Sequence, residues 1–486
     1  MSREMTNMNR KHWLNFIDGK WCDSEERFEV LNPATNQSIG TIAKASMSDA
    51  ATALAAARRC ADSRQLSAVR PAERVKWMHR IAQEILGLVQ VGAHVLCAEN
   101  GKTVDEAKDE FVEAARYFEY YGGMADKIEG VSIPLGNGYM DFTMYDPMGV
   151  SLQIVPWNFP VSICARALAP ALAAGNAVVV KSPELSPLGM CVLFEAIERA
   201  GLPNGAVNLL CGSGREIGSY LAAQKAVDQI VFTGSVPTGQ TILKLAAENA
   251  TPCVMELGGK SAAVVFPDVD LDQLMASVRM GIFFNAGQVC SAMSRLVVHR
   301  SIYDAVVSRV KDLAQGLSVG SGDDGSDLTP VISARQLDQI QRMCQRAQEE
   351  GAVLVTGGET VSNCQGNFLL PTVFSNVRPE MNIAQEEVFG PVLVIIPFDD
   401  ETEAMAIANG TDFGLVAGVF TQDLNKAMRC ARLLRSGQVF VNEWYAGGIE
   451  VPFGGVGLSG YGRERGQEAL YSYVRTKNVA IRVAGE

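Results

Sequence analysis

Hydrophobic and polar positions alternate in a strand–helix rhythm through the middle of the chain. Between residues 149 and 248, short β-branched runs such as 177–181 and 229–232 are followed by helical segments of about 10 to 15 residues. This order predicts a parallel sheet covered by helices on both faces, with a ligand site where its strands end. A second α/β region is predicted from about residue 261 onward.

The flanking regions follow other patterns. Asp18-Gly19 between two apolar runs predicts a β-hairpin, and helices are predicted to begin near Ser48-Asp49, at Pro71 and at about Val104. Residues 124–147 predict a second hairpin that leaves the main body. Because a lone hairpin is marginal in water, we expect it to pair with another segment. The tail, residues 473–482, is again β-like.

Size and composition narrow the class of protein. A chain of 486 residues predicts two or three domains. The net charge of −12, with no long basic run, argues against a nucleic-acid partner. Eleven cysteines without paired spacing indicate a reducing compartment, and four histidines make a histidine-built metal site improbable, so no metal is expected. The polar N-terminus and apolar stretches that fall short of a membrane span predict a cytoplasmic protein without a membrane partner.

Polar residues follow two of the predicted strands. Asn158, just before Pro160 at a helix start, is held where its amide can donate into a pocket. Alternatively, the Asn158 side chain forms a hydrogen bond within its own turn. Lys181 and Glu184 can hold the ribose hydroxyls of a dinucleotide, and the carboxylate favours NAD over NADP. As an isolated tetrapeptide, residues 181–184 more often form a solvated loop.

Three glycine-rich segments complete the set. Gly234-Ser235 opens a helix, which suits a pyrophosphate, whereas the turn containing Gly214 and Gly218 misses the dinucleotide fingerprint by one residue. Glu256 lies between apolar residues and two glycines, where burial would raise its pKa toward that of a general base; a structural hydrogen-bond role is the alternative.

The thiol of Cys290 follows a flexible Gly-Gln turn at the end of an apolar run. By itself it reads as one more buried cysteine. The segments Pro-Trp-Asn-Phe-Pro, Phe-Thr-Gly-Ser, Glu-Leu-Gly-Gly-Lys and Phe-Asn-Ala-Gly-Gln-Val-Cys, in this order, closely resemble the aldehyde dehydrogenase superfamily, in its NAD-dependent, hydrolytic, non-acylating branch. Glu256 precedes Cys290 by 34 residues, as in that family, and segments around Glu387, Phe453 and Glu464 also match. The resemblance extends from about residue 13 to residue 480.

The resemblance implies a fold and a set of roles. The fold is α/β, with a Rossmann-like cofactor domain (1–123 and 147–258), a second α/β catalytic domain (259–458) and oligomerisation strands (124–146 and 473–486). Cys290 would be the nucleophile, Asn158 the oxyanion donor, Glu256 the base that activates water, and Glu464 a second acid. The positions that match NAD-binding residues are Ile154, Trp157, Lys181, Glu184, Gly214, Gly218, Gly234, Ser235, Glu387 and Phe389. Homodimers or homotetramers are usual in the family.

Three alternatives to an NAD-dependent aldehyde oxidation are weighed. A CoA-acylating enzyme would lack the base Glu256, a crystallin-like descendant would lose catalytic residues, and a cofactor-independent thiol hydrolase would need a histidine base. The residues that match the family's aldehyde tunnel are Phe159, Ile163, Arg166, Val289, Ser291, Trp444, Tyr445 and Phe453. Most are apolar, which suits a small-molecule aldehyde of medium aliphatic or aromatic type. Arg166 instead matches the arginine that meets a carboxylate in succinic-semialdehyde-type relatives. The alternative role for Arg166 is that of a residue at the rim of the tunnel, in contact with water or a neighbouring carboxylate.

Overall fold

Helices account for much of the chain. The structure, a computed structural model, describes residues 10–362 and 364–483, so the ends of the predicted ranges 1–123 and 473–486 lie outside it. The helices are α1 Met47–Asp62, α2 Pro71–Asn100, α3 Val104–Gly122, α4 Pro160–Ala174, α5 Leu188–Arg199, α6 Ser219–Ala222, α7 Val236–Ala247, α8 Leu271–Val278, α9 Tyr303–Gly316, α10 Ala334–Glu349, α11 Asn382–Gln385, α12 Glu401–Ala408, α13 Leu424–Leu433 and α14 Gly466–Tyr471.

Strands form two large sheets and three small ones. In chain order they are β1 His12–Trp13, β2 Asn15–Ile17, β3 Lys20–Cys22, β4 Arg27–Leu31, β5 Ser38–Ala43, β6 Ser132–Ile133, β7 Tyr139–Pro147, β8 Val150–Ile154, β9 Ala177–Ser182, β10 Val207–Cys211, β11 Gln229–Thr233, β12 Cys253–Glu256, β13 Ala262–Val265, β14 Arg295–His299, β15 Val353–Thr356, β16 Thr372–Ser375, β17 Val392–Phe398, β18 Phe413–Gly414, β19 Val416–Phe420, β20 Gln438–Val441, β21 Val456–Gly457, β22 Gly460–Tyr461 and β23 Val474–Arg482.

The first large sheet has eight strands in the order β22-β12-β11-β8-β9-β10-β2-β3. Its five central strands are parallel, and antiparallel strands close both edges. Every residue of β8, β9, β10 and β11 is buried, as expected for a parallel sheet covered on both faces. The carboxyl ends of β12, β11, β8 and β9 therefore meet along one side of the sheet, which is where the candidate site lies.

The second large sheet has seven strands in the order β15-β16-β17-β14-β13-β19-β20, all parallel except for the edge strand β15. The predicted α/β architecture is confirmed. Buried apolar residues form two clusters. The first runs from Trp13 to Leu257, with Ile449 and residues near the C-terminus added, and the second from Ala262 to Phe453.

The smaller sheets lie at the periphery. The Asp18-Gly19 hairpin is confirmed, since Ile17 pairs with Lys20 and both turn residues have a positive φ, of 52° and 77°. The second predicted hairpin is also present as β6 and β7. Its expected partner lies in the same chain, because β23 pairs antiparallel with the full length of β7.

Three local predictions need correction. The N-cap of α1 is Ser46 rather than Ser48-Asp49, and Asp49 completes a capping box three residues later. The apolar pattern of residues 271–284 predicts one helix, but α8 ends at Val278 and a π-helical turn, Arg279–Phe283, follows. The strand–helix rhythm also predicts a helix over residues 217–223, where the structure instead has a π-helical turn, Gly214–Gly218, followed by the single turn of α6.

One helix in the described part of the chain, α2, is long and apolar enough to cross a membrane by length and composition. However, 56% of its most apolar window is buried within the protein, where α2 packs against α3 and α5. Helices in a protein core pass the same test, so this observation is weak evidence for a membrane span.

Candidate active site

Cys290 follows a tight turn with a strained backbone. In the 3₁₀ turn Phe284–Gly287, Asn285, Ala286 and Gly287 all have a positive φ, of 47°, 53° and 69°. A Cβ on Gly287 would lie 2.2 Å from the carbonyl oxygen of Gly390, so only glycine fits there. The Cys290 thiol is partly exposed and packs against the second hydrophobic cluster. Burial raises the pKa of this thiol to about 11, against the opposing charge of Arg166.

Two glycines join the thiol loop to a carboxylate. A Cβ on Gly259 would lie 2.6 Å from the carbonyl oxygen of Cys290, and one on Gly258 would lie 2.2 Å from Oε2 of Glu387. The Gly259 N–H donates to Oε1 of Glu387 at 3.0 Å. The Glu387 carboxylate and the Cys290 backbone therefore meet across a segment that has no room for side chains. Burial raises the pKa of Glu387 to about 7.

Asn158 lies beside the thiol loop. It precedes α4, whose first residue is Pro160, and its side chain is buried. Its Nδ2 donates to the carbonyl oxygen of Gln288 at 3.0 Å, two residues before Cys290. A side-chain amide has two N–H groups, so this bond leaves one for a further acceptor.

A second group of charges lies next to Cys290. Glu256 ends β12 and is 2% exposed, and neither of its carboxylate oxygens has a hydrogen-bond partner within the described residues. Burial and the negative charge of Glu464 raise the pKa of Glu256 well above its usual range. Arg166 forms an ion pair with Glu464, and both side chains are almost completely buried. Arg166 is therefore buried, and the neighbouring carboxylate that it contacts is that of Glu464.

The positions matched to the adenosine ribose form a contact of their own. Lys181 is the penultimate residue of β9, and its Nζ lies 3.7 Å from Oε1 of Glu184. The N–H of Gly214 donates to the same Oε1 at 2.7 Å, and a Cβ at Gly214 would lie 3.4 Å from the Lys181 Nζ. The lysine is buried, which lowers its pKa, whereas Glu184 is exposed.

The other candidate cofactor residues lie along the same side of the sheet. Ile154 ends β8, the Gly234 N–H donates to the Glu256 carbonyl oxygen at 3.0 Å, and Ser235 is the exposed N-cap of α7. The Trp157 and Phe389 rings meet edge to face at 5.3 Å between centroids. Gly218 is buried at the end of its π-helical turn.

Aromatic rings form one wall beside Cys290. Phe159 stacks on Phe284 at 5.8 Å between centroids, and Phe284 meets Tyr445 at 6.2 Å. Phe284 belongs to the Cys290 segment, but the sequence interpretation did not assign it to the site. Its place in that segment, next to the turn, was the available signal.

The remaining candidate substrate residues are more buried. Trp444 packs in the second hydrophobic cluster against Phe440, and its indole N–H donates to the Ser291 carbonyl oxygen at 3.1 Å. It thus supports the wall from behind. Phe453 lies between two cations, 5.4 Å from Arg166 and 5.3 Å from Arg465. Ile163 and Val289 are 6% and 8% exposed.

Comparisons with known proteins agree with this geometry. Residues 21–479 match the sequence profile of the Aldehyde dehydrogenase family. The chain belongs to this family. Over 472 residues it is 38% identical to an aldehyde dehydrogenase of Aspergillus niger, covering 96% of this chain and 95% of that one. Over 472 residues it is also 38% identical to the betaine aldehyde dehydrogenase of Bacillus subtilis, covering 96% of each.

Solved structures of other aldehyde dehydrogenases have the same fold. A Staphylococcus aureus betaine aldehyde dehydrogenase in complex with NAD⁺ superposes with a TM-score of 0.97 at 34% identity, covering 100% of this chain and 98% of that one. Within the described residues of this aldehyde dehydrogenase family member, no group of three or more His, Cys, Asp or Glu could hold a metal ion.

Proposed function

We propose that this enzyme oxidises an aldehyde to the carboxylic acid, with NAD as the hydride acceptor, Cys290 as the nucleophile and Glu256 as the general base. The observation that carries the proposal is Glu256 itself. It is buried, both of its oxygens lack a hydrogen-bond partner among the described residues, and its charge acts on the Cys290 thiol. Buried polar groups without partners need an explanation, and a reacting water next to a thioester supplies one.

The residues of the cleft fit NAD. Lys181, Glu184 and the side-chain-free Gly214 form a cradle suited to a ribose, and the open N-terminus of α7 at Ser235 suits a pyrophosphate. Glu387 would hold the second ribose. NAD, when bound, accepts the hydride of the aldehyde. Glu184 favours it over NADP, because a carboxylate repels a 2′-phosphate.

The chain's own residues account for the other steps. The Cys290 thiol gives up its proton to water, and the thiolate sulfur bonds to the aldehyde carbon. The aldehyde oxygen, which becomes negative, accepts hydrogen bonds from the free N–H of Asn158 and the Cys290 backbone N–H. Loss of hydride leaves a thioester on Cys290. Glu256 then takes a proton from water as the water oxygen attacks, which releases the acid and the thiol. Glu464, paired with Arg166, can receive that proton from Glu256.

An apolar substrate fits the aromatic wall of Phe159, Phe284 and Tyr445, so we propose a medium-chain aliphatic or aromatic aldehyde. The second candidate is a semialdehyde whose carboxylate binds Arg166, which lies close enough to lower the pKa of Cys290. The ion pair with Glu464 favours the first candidate, because the guanidinium already has a carboxylate partner. The positive charge of Arg166 also disfavours a cationic aldehyde.

NADH formation with octanal, phenylacetaldehyde and succinic semialdehyde tests the proposal. We expect the wild type to give the higher kcat/KM with the apolar aldehydes and Cys290→Ala to form no NADH. Cys253→Ala, which removes another partly buried thiol, is the matched control and should retain activity. NADH production by Cys290→Ala would refute the mechanism. A preference for succinic semialdehyde that Arg166→Ala removes would instead establish the second candidate.

We also propose that β6, β7 and β23 form an oligomerisation surface of a homodimer or homotetramer. Tyr139, Met140 and Met144 on β7 and Ile481 on β23 are exposed apolar side chains. Light scattering coupled to size-exclusion chromatography should give a mass of two or four chains, and Met140→Glu should lower it. The division into a cofactor domain and a catalytic domain at about residue 258 is likewise a proposal, supported by the two separate hydrophobic clusters.

A further inference from the structure

The junction between α2 and α3 sends one buried lysine toward the Asn158 loop. Lys102 lies between the left-handed Gly101, with a φ of 92°, and Thr103, the N-cap of α3. Its side chain is 0% exposed. The Nζ donates to the backbone carbonyl oxygen of Asn158 at 2.8 Å and to Oε2 of Glu110 at 2.6 Å. The same ammonium lies 4.2 Å from the centroid of the Phe159 ring.

Glu110 continues the connection on the other side of Asn158. Its Oε1 accepts hydrogen bonds from the backbone N–H groups of Val161, at 2.8 Å, and Ser162, at 3.1 Å, in the first turn of α4. The Lys102–Glu110 pair therefore binds the carbonyl of Asn158 and the N–H groups three and four residues later. Together these contacts fix the backbone on both sides of the oxyanion donor.

The same junction also holds the thiol loop. Oε1 of Glu106 accepts from the backbone N–H of Asn285 at 2.9 Å, and Nδ2 of Asn285 donates to the Asn158 carbonyl oxygen at 3.3 Å. That carbonyl thus has donors from both Lys102 and the turn that precedes Cys290. The α2–α3 junction therefore connects the segment of the oxyanion donor to the segment of the nucleophile.

Stability alone is a poor reason to keep such a pair. Moving two charges into a protein interior carries a desolvation cost that often exceeds their mutual attraction, and an apolar replacement of similar volume is often neutral or stabilising. A catalytic donor, by contrast, must be held close to its productive position, because a displacement of about 1 Å can lower the rate about 100-fold.

We propose that Lys102 is a positioning residue that, together with Glu110, holds Asn158 where its side-chain N–H meets the substrate oxyanion. This role rests on the proposed function of Asn158. Lys102 touches no reacting atom, so it acts through the backbone of Asn158 and through the Phe159 ring.

Lys102→Met keeps the volume of the side chain and removes the donor. We expect kcat for octanal to fall by about tenfold to 100-fold, with the Kd of NAD unchanged in a fluorescence titration. In the Asn158→Ala background, the same substitution should cost less than about twofold, because the donor it positions is already gone. Lys102→Arg, which keeps the charge and the partner Glu110, should recover part of kcat.

Arg74→Met is the matched control. Arg74 is also a buried cation that donates to backbone carbonyls, but those of Ala173, Leu66 and Val69, at the far end of α4. The Arg74→Met variant should have a lower Tm and a kcat within about twofold of wild type. If Lys102→Met does not fold, the neutral pair Lys102→Met/Glu110→Gln replaces it, with the same expected loss of kcat.

Equal losses of kcat in the wild-type and Asn158→Ala backgrounds would overturn the proposal, as would an unchanged kcat in a folded variant. Either result would leave the proposed function standing. Failure of the proposed function shows itself differently, as NADH production by Cys290→Ala.

Discussion

Two buried ion pairs lie at opposite ends of one stretch of chain, and they differ in how completely their atoms are satisfied. Lys102 and Glu110 hold the start of α4, with hydrogen bonds to Asn158, Val161 and Ser162. Arg166, almost two turns into the same helix, pairs with Glu464. Around this second pair, Nε of Arg166 and both oxygens of Glu256 have no hydrogen-bond partner among the described residues.

This difference in hydrogen bonding indicates that one ion pair positions the backbone and that the other takes part in the reaction. A fully bonded buried network rigidifies its surroundings, whereas buried polar atoms without partners are costly unless something else binds them. The Lys102–Glu110 pair therefore fits a positioning role, and the Arg166–Glu464–Glu256 group fits a place where water and protons move. Cys290 and Asn158 lie between the two groups and depend on both.

The largest effect that tests this comparison is expected from Asn158→Ala. It removes the donor that the satisfied pair positions, so kcat should fall by about 10²–10³-fold. Stability should change little in this variant, because among the described residues the Asn158 side chain donates only to the Gln288 carbonyl oxygen. Asn176→Ala is the control, since this buried amide bonds Ala171 and Tyr473 far from the cleft. That variant should lose stability and keep kcat; the reverse pattern would contradict the comparison.

Arg166→Met removes the cation from the Arg166–Glu464–Glu256 group and should lower kcat by a smaller factor than Asn158→Ala. The guanidinium of Arg166 is the positive charge that most lowers the pKa of Glu256. Without it, that pKa should rise further. A general base acts only above its pKa, so kcat at pH 7 should fall about tenfold and recover in part at pH 9. The kcat–pH profile checks this, with Arg166→Lys as control. If only the KM for succinic semialdehyde rose, Arg166 would be a substrate ligand.

Gly258→Ala should separate the cofactor side of the cleft from both charge groups. The new Cβ would lie 2.2 Å from Oε2 of Glu387 and must displace that carboxylate. We expect the KM for NAD to rise about tenfold with little change in the KM for the aldehyde. Gly87→Ala, in the interior of α2 with open space around it, should leave both constants unchanged. An unchanged KM for NAD would remove Glu387 from the cofactor site.

The smallest effect of a substitution is expected at the Cys290 thiol in the free enzyme. Because burial raises its pKa to about 11, the thiolate fraction should rise about tenfold per pH unit between pH 7 and pH 10. Alkylation by iodoacetamide, followed by mass spectrometry at Cys290, should follow that slope. Glu387→Gln removes a charge that raises this pKa and should speed alkylation. A plateau near pH 7 would show that the thiol is activated in the resting enzyme.

Sequence patterns predicted the elements that depend on local chemistry. The Asp18-Gly19 hairpin and the parallel strands of the first sheet follow from turn residues and from β-branched runs, and each is present. The predicted N-cap of α1 lies two residues after the observed one, Ser46, because Ser48 and Asp49 are also residue types that favour an N-cap. The family motifs in the sequence are enough to group Asn158, Glu256 and Cys290 as the expected catalytic residues.

Contacts between distant segments could not be predicted. β22 pairs with β12 across about 200 residues, and neither short segment has a strand pattern of its own. The bond of Lys102 to Asn158 spans 56 residues, and nothing in the local sequence around Lys102 distinguishes it from a solvated lysine. The partner of Arg166 was likewise invisible, since Glu464 lies almost 300 residues away.

The central claim is that the unsatisfied carboxylate of Glu256 activates the water that releases the acid from Cys290. Mixing Glu256→Gln with octanal and excess NAD, followed by acid quench and intact-mass spectrometry, tests it most directly. We expect a burst of about one NADH per active site, slow turnover afterwards, and an octanoyl adduct on Cys290. Steady turnover at the wild-type rate with no adduct on Cys290 would contradict it.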